Sequence, residues 1–499
     1  MKFYITTPIY YVNDRPHIGH VYTTTIADIF ARYHRLCGDD VFFLTGTDEH
    51  AAKVVDSAAA NGMTPQQWAD QNAQAFQDTF KKLGIANNDF IRTSQQRHKD
   101  KVLEYVGELL KTGDVYLGEY EGWYDAGEEE YVPENKAKET GFKSPVNGRP
   151  LVRKKEKNYF FRLSKYGDAL LKLLEDQPDF VRPEARRNEI KNRIRDGLND
   201  VPISRTGAGD WGIRVPGESE HVIYVWIDAL FNYLSTIDTP ERKHFWPADV
   251  HLIAKDILWF HAVIWPALLL ALKRPLPGQI YAHGWWIAEG QKMSKSLGNF
   301  VDLEKIDRYV ADYGLDALRF FLANNGPLGI NDSDFAEAKF IEVYNNDLAN
   351  ELGNLINRTL SMIHRYRKGE VPKSGQSEFT ADFSNYRKHM DGLDLTSALV
   401  EVRSFVIRAN RYVEESAPWT LAKSPDKAQQ LDTVLYNLAE SVRLITVAIA
   451  PVMPTISAQA RAQLGVGEIT GKLPEELTWG RLPAGTKVGT VAPLFPKKV

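Results

Sequence analysis

Two short stretches carry histidines and lysines at spacings suited to the phosphates of a nucleotide. Pro16-His17-Ile18-Gly19-His20 falls between a first strand and the start of a helix, where free backbone N–H groups and the helix dipole favour anions. His17 and His20 would donate hydrogen bonds to phosphate oxygens and stabilise the charge that builds as the α-phosphate is attacked. Gly19 would let a purine ring approach the backbone. Far along the chain, Lys292-Met293-Ser294-Lys295-Ser296 follows Glu289-Gly290-Gln291 in a polar loop. Its two ammonium groups, three residues apart, suit a clamp on a pyrophosphate leaving group. No Gly-x-x-x-x-Gly-Lys-Ser/Thr loop occurs, so this is not a Walker site, and no side chain need act as a nucleophile. Taken singly, the first stretch also reads as a plain turn and the second as an exposed basic loop.

These residues need elements to hold them. Residues 3–6 read as a strand, and Ile26, Ile29, Phe30, Tyr33 and Cys37 share one face of a following helix that Gly38 ends as a C-cap. Residues 41–44 form a continuous apolar run, the pattern of a parallel strand buried on both faces. Residues 1–116 therefore predict the first half of a βαβ nucleotide fold. Residues 117–215 turn charged and are punctuated by Gly and Pro, as at Tyr131-Val132-Pro133-Glu134, which predicts an inserted connective module of short strands. Apolar strands return at 221–225 and 250–253, each leading into a helix, so residues 216–284 are expected to complete the parallel sheet. Residues 285–346 hold the lysine loop.

From 347 to 499 the spacing is helical throughout. Leu352, Leu355, Ile356, Thr359 and Ile363 form one apolar face, Leu399, Val402, Phe405, Val406, Ala409 and Val413 a second, and Leu431, Leu435, Leu438, Val442 and Ile445 a third. The expected fold is thus α/β: a Rossmann-like parallel sheet split by an insertion and followed by an α-helical bundle, with an inter-helix loop at 368–376.

Composition bounds the rest. At 499 residues the chain exceeds one hydrophobic core, and 43% apolar with 25% charged residues is ordinary for a globular protein. The net charge of -4 gives no global attraction for phosphates, so a nucleic acid would have to meet local basic patches. Arg153-Lys154-Lys155-Glu156-Lys157 and the series Arg186, Arg187, Lys191, Arg193, Arg195 are such patches, and each equally suits a solvated face. The single Cys37 excludes an internal disulfide and a thiolate zinc cluster and fits a reducing compartment. The N-terminus has no apolar leader, and the greasiest stretch, near 262–272, is too short to span a bilayer. A cytoplasmic location is expected.

The two stretches together, in this order around a split βαβ core, resemble the signature sequences of class I aminoacyl-tRNA synthetases. Four further blocks resemble the methionyl-tRNA synthetase family: Thr7-Pro8-Ile9-Tyr10-Tyr11-Val12-Asn13, Phe43-Leu44-Thr45-Gly46-Thr47-Asp48-Glu49-His50, Tyr224-Val225-Trp226-Ile227-Asp228-Ala229-Leu230 and Lys255-Asp256-Ile257. The resemblance implies ATP-dependent activation of methionine, with Mg2+ accompanying ATP, and transfer to tRNA(Met) in protein biosynthesis. It implies a methionine pocket of Pro8, Ile9, Tyr11, Asp48, Trp226, Ala229, Leu230, Tyr233, Ile257 and His261, with Asp48 receiving the α-ammonium. It also implies an ATP site of Gly19, Asp256, Gly284, Lys292 and Lys295 beside His17 and His20, with Arg205 near the phosphates or in a plain salt bridge. From spacing alone, Trp226, Ala229, Leu230 and Tyr233 at i, i+3, i+4 and i+7 suit a packed core helix as well as a ligand pocket.

On the bundle, Asn354 and Arg358 are predicted to point away from the apolar face, exposed together. An amide and a guanidinium can read bases, and Trp419 after Pro418 offers a stacking platform. The resemblance implies that these three recognise the CAU anticodon. Many relatives carry zinc knuckles in the inserted module, whereas the stretches 123–129 and 145–150 contain no cysteine, so no structural zinc is expected. The chain ends soon after the bundle at Lys497-Lys498-Val499, which makes a monomer the expectation. Two other readings remain open at this point: a synthetase for leucine, isoleucine or valine, which normally carries a larger editing insertion, and a nucleotidyltransferase without tRNA, which leaves the helical third unexplained. Intact His17, His20, Lys292 and Lys295 argue against a non-catalytic paralogue.

Overall fold

Side chains alternate across the central strands between two cores. In the computed structural model, Phe3 and Ile5 face one core while Tyr4 faces the other, and Val41 and Phe43 are opposed in the same way to Phe42 and Leu44. Both faces of the sheet are covered, as parallel pairing requires. The structure describes residues 1–499 apart from 14, 126–129, 133, 207–210, 289–290, 294–299 and 499, and apart from the side chains of 120, 130, 131, 135, 156, 291 and 292.

The central sheet has six strands: β1 (Lys2–Tyr11), β2 (Asp40–Asp48), β3 (Asp89–Arg92), β4 (Val181–Arg182), β5 (Val250–Ala254) and β6 (Gln279–His283). All pairings are parallel and the order is β3-β2-β1-β5-β6-β4. The chain moves outward from β1 in one direction, then from β5 in the other. The crevice between β1 and β5 is therefore the topological switch point, where ligands bind beyond the carboxyl ends of the strands.

Two expectations need correction. The run at 221–225 is not part of this sheet: His221–Ile223 pairs antiparallel with Ser204–Thr206 in a separate two-stranded ribbon. Conversely, β4 lies within the range expected as insertion and yet pairs with β6 on the sheet edge. The insertion itself is built on an antiparallel sheet in which Val115–Asp125 pairs along Val152–Phe161.

β1 also contains Pro8, which has no N–H to give a neighbour. The register of β1 on β2 shifts between Thr6 and Ile9, so the proline sits at an irregularity rather than in a continuous ladder. The following helix, α1 (Ile18–Cys37), ends at Gly38 in the left-handed conformation at φ 84°. Asp28 of α1 is fully buried and accepts from Arg319 at 2.7 Å and from Arg32 at 2.7 Å. Arg319 also donates to the carbonyls of Pro451 and Val452, so α1 is tied directly to the C-terminal helices. Those helices include α5 (Asn354–Arg367), α6 (Leu395–Ser416) and α7 (Ala428–Ile449), and their apolar faces continue the core that covers α1. None of the described helices is long and apolar enough to cross a membrane.

Candidate active site and anticodon face

The first signature forms the N-terminal cap of α1. His17 is the cap residue, and its Nδ1 accepts the Gly19 N–H at 3.1 Å, while His20 Nδ1 accepts the His17 N–H at 3.2 Å. This is a capping box made of two imidazoles rather than of hydroxyl and carboxyl groups. With both Nδ1 atoms accepting, each neutral ring carries its proton on Nε2. Burial and the adjacent His17 push the pKa of His20 down, which favours the neutral form. The structure supplies a further reason for Gly19: a Cβ there would lie 3.0 Å from the His17 ring, inside the space that the cap uses.

The described residues that follow the second signature meet the first. Gln291–Lys292 pairs antiparallel with Trp286–Ala288, and Met293 packs against the core of α1. Ser294, Lys295 and Ser296 lie outside the described residues. The chain returns at Phe300, whose ring meets that of His17 edge to face at 5.2 Å, and the Ile18 N–H donates to the Val301 carbonyl at 3.2 Å. Neither Phe300 nor Val301 was singled out from the sequence.

Asp256 and Gly284 follow the carboxyl ends of β5 and β6. Trp285 Nε1 donates to the exposed Asp256 at 3.2 Å, and its backbone N–H donates to Asp332 at 2.8 Å. Lys255 pairs with Asp332 at 2.6 Å and sits over the Trp285 ring at 4.3 Å. A Cβ on Gly284 would fall 2.6 Å from the Asn331 carbonyl, so a larger residue would force the two segments apart.

The expected methionine residues converge beside this crevice. Tyr11 and Asp48 are opposite one another at the ends of β1 and β2, and Asp48 is 3% exposed. Tyr11 meets Trp226 edge to face at 6.1 Å, and Trp226 stacks on Phe260 at 3.8 Å. Tyr233 contacts His261 Nε2 at 2.7 Å, and His261 Nδ1 contacts the Ile257 carbonyl at 3.0 Å. The carbonyl can only accept, so Nδ1 carries the proton and Tyr233 donates to Nε2. Burial lowers the His261 pKa to about 4, which maintains this arrangement at neutral pH.

Pro8 and Ile9 line the half-buried end of β1, and Ala229 and Leu230 are buried on α3 (Val225–Leu230). The single helix expected from Trp226 to Tyr233 is divided: α3 ends at Leu230, Phe231 caps it, and Tyr233 belongs to α4 (Asn232–Ser235). Beneath Tyr233 lies His251, with ring centres 4.3 Å apart, held by Thr6 at 2.7 Å. Sequence reasoning missed His251 and Phe260. Arg205 is 8% exposed and stacks on Tyr224 at 4.2 Å.

The three bundle residues also meet. Asn354 is exposed and Arg358 half-buried on α5, and Arg358 pairs with Glu414 of α6 at 2.7 Å. The Trp419 ring, 39% exposed, lies 5.9 Å from the Arg358 guanidinium. Asn354 and Arg358 share a recess of about 350 Å³ with Asn350, Glu351, Asn410, Arg411 and Glu414. The α6 residues were missed because nothing local in the sequence reveals which helix packs beside α5.

A parallel sheet bearing a histidine cap at its switch point, with a helical bundle packed against the same helix, is the arrangement of a class I aminoacyl-tRNA synthetase. The model described as "tRNA synthetases class I (M)" matches residues 3–141 and 141–360, and "Anticodon binding domain of methionyl tRNA ligase" matches residues 367–499. The methionine--tRNA ligase of Caldanaerobacter subterraneus subsp. tengcongensis is 47% identical over 99% of this chain and 78% of its own length. That of Bacillus subtilis is 44% identical over the same shares. The solved structure of Mycobacterium tuberculosis methionyl-tRNA synthetase in complex with methionyl-adenylate has a TM-score of 0.91 at 37% identity, covering 99% of each chain. This chain belongs to the methionyl-tRNA synthetase family.

Proposed function

We propose that this chain performs its family's reaction with the residues described above. Methionine enters with its ammonium on Asp48 and its thioether among Trp226, Ala229, Leu230, Tyr233 and His261, flanked by Pro8, Ile9, Tyr11 and Ile257. Sulfur–aromatic contacts contribute about 0.3 to 1.5 kcal/mol, a modest preference that the pocket's shape extends. ATP lies along the α1 N-terminus, with Gly19, Asp256 and Gly284 toward the nucleoside and Arg205 toward the phosphates. A methionine carboxylate oxygen attacks the α-phosphorus as the bond to the pyrophosphate oxygen breaks. His17 and His20 donate to the phosphate oxygens, while Lys292 and Lys295 neutralise the departing pyrophosphate. A hydroxyl of the terminal tRNA ribose then attacks the acyl carbon and AMP leaves.

The observation that carries this reading is that consecutive residues at the end of β1 touch both groups: the Tyr10 ring meets that of His20 at 4.7 Å, and the Tyr11 ring meets that of Trp226 at 6.1 Å. Among the described residues no cluster of three or more His, Cys, Asp or Glu side chains is placed to hold a metal. Mg2+ enters with the ATP phosphates, whose oxygens it binds.

The inserted module holds its shape without zinc. In support of this, Trp123 packs on Phe142 at 4.5 Å, Ser144 Oγ accepts the N–H groups of Val146 and Asn147, and Asn147 reaches Asp125 at 3.4 Å. The functional division remains 1–116, 117–215, 216–284, 285–346 and 347–499, with β4 returned to the sheet. The enzyme acts as a cytoplasmic monomer on tRNA(Met), whose anticodon meets Asn354, Arg358 and Trp419. Charging of purified transcripts tests the reading. A transcript with a CAU anticodon should accept methionine, and the same transcript carrying GAU should accept it far more slowly; equal charging of the two would overturn the tRNA assignment.

A further inference from the structure

One buried carboxylate near the pocket is used by none of the steps above. Asp228 lies on α3, 1% exposed, between two imidazoles: His50 Nδ1 approaches one oxygen at 2.6 Å and His98 Nε2 the other at 2.8 Å. His98 is fully buried on α2 (Gln96–Lys111), and its second nitrogen meets the Ser235 hydroxyl at 2.8 Å. Burial alone would raise the Asp228 pKa, yet the two imidazoles bring it down to about 2, so the group is an acceptor at neutral pH and both histidines donate to it. A buried charge bonded from both sides is costly to displace, which suits it to fixing the relative positions of the elements that meet there.

Those elements are informative. His50 is two residues beyond Asp48, just past the end of β2. The intervening Glu49 is held from the other side by Arg92 at 2.7 Å and by the Thr47 hydroxyl at 2.8 Å, with its own N–H on Thr93 at 2.9 Å. Asp228 itself lies on the short helix that carries Trp226, Ala229 and Leu230. One carboxylate therefore joins the strand end that carries Asp48 to the helix that carries the thioether-facing residues.

We infer that Asp228, acting through His50, is a positioning residue that fixes Asp48 relative to α3 and so sets where the substrate ammonium sits with respect to the thioether pocket. The inference rests on the assignment of Asp48 to the ammonium. It predicts a selective defect. Loosening the clamp weakens ligands that use the ammonium contact and spares those that use only the thioether pocket.

Calorimetric binding to the full chain separates these cases, with L-methioninol as the ligand that keeps the ammonium and 4-(methylthio)butanoate as the one that lacks it. D228N and H50A should each weaken methioninol about tenfold while 4-(methylthio)butanoate changes less than about twofold. H50Q, whose amide can still donate to Asp228, should recover part of the loss. H50A should add nothing in a D48N background, because the residue it positions is already disabled. If D228N does not fold, the His50 variants and the double variant carry the test alone. Equal weakening of both ligands, or full methioninol affinity in H50A while D48N loses it, would overturn the inference and leave Asp48 assigned. Unchanged methioninol binding in D48N would instead overturn the Asp48 assignment and the inference with it.

Discussion

The Ile18 amide donates to the Val301 carbonyl at 3.2 Å, joining the first turn of the histidine helix to the chain that emerges from the lysine signature. Two stretches more than 270 residues apart in sequence thus share a backbone hydrogen bond. The neighbouring Phe300 ring braces His17 from the same side at 5.2 Å. Removing that ring should disturb how His17 meets a phosphate without touching the methionine pocket. Phe300→Ala is expected to raise the KM for ATP in pyrophosphate exchange about tenfold, with the KM for methionine changed less than about twofold. Steady-state titration of each substrate checks this.

Tyr233 and His261 make a second test. Tyr233→Phe removes the hydroxyl and leaves His261 Nε2 buried without its donor, a loss of about 1 to 3 kcal/mol. If methionine binding relies on this pair, the KM for methionine should rise about tenfold while that for ATP stays nearly constant. A thermal melt of the same variant shows how much of the cost falls on folding.

Trp419 offers a separation between activation and charging. Its ring is exposed on the bundle, near Arg358 and remote in sequence from both signatures. Base–aromatic stacking contributes about 1 to 3 kcal/mol per base, so Trp419→Ala should lower kcat/KM for tRNA roughly tenfold or more. Pyrophosphate exchange should be nearly unchanged. Equal loss in both assays would refute the assignment of the bundle.

The buried imidazoles also set a pH dependence of stability. His261 and His283 are both brought down to about 4, chiefly by burial. Between that value and the ordinary 6.5 the unfolded chain binds more protons than the folded one, so stability rises with pH there and falls on acidification. From pH 7 to pH 5 each histidine should remove about 2 kcal/mol. Asp228, held at about 2, contributes nothing to this window because its stabilisation is lost only below pH 4. Urea unfolding at pH 7 and pH 5 measures the difference, and His283→Gln should make it smaller.

What was legible in the sequence follows physical range. β1, β2 and α1 were readable because local periodicity encodes burial, and Gly38 marked the end of α1 through its left-handed backbone. The two-residue β4 carried no periodic signal, and the apolar run at His221–Ile223 did not reveal that its partner is Ser204–Thr206 rather than the central sheet. The site residues expected in advance came from motifs. Those missed, such as His251, Phe300 and Asn410, act by meeting a distant segment. Asp228 had a usable signal: an acidic residue inside Tyr224-Val225-Trp226-Ile227-Asp228-Ala229-Leu230 must either face solvent or find buried partners, and it finds His50 and His98.

The account turns on methionine as the activated substrate. Pyrophosphate exchange into ATP, measured with each of the twenty amino acids in turn, tests it most directly. Exchange should depend on methionine and fall close to background when His17 or His20 is replaced by alanine. Exchange that proceeds without methionine, or equally well with leucine, isoleucine or valine, would contradict it.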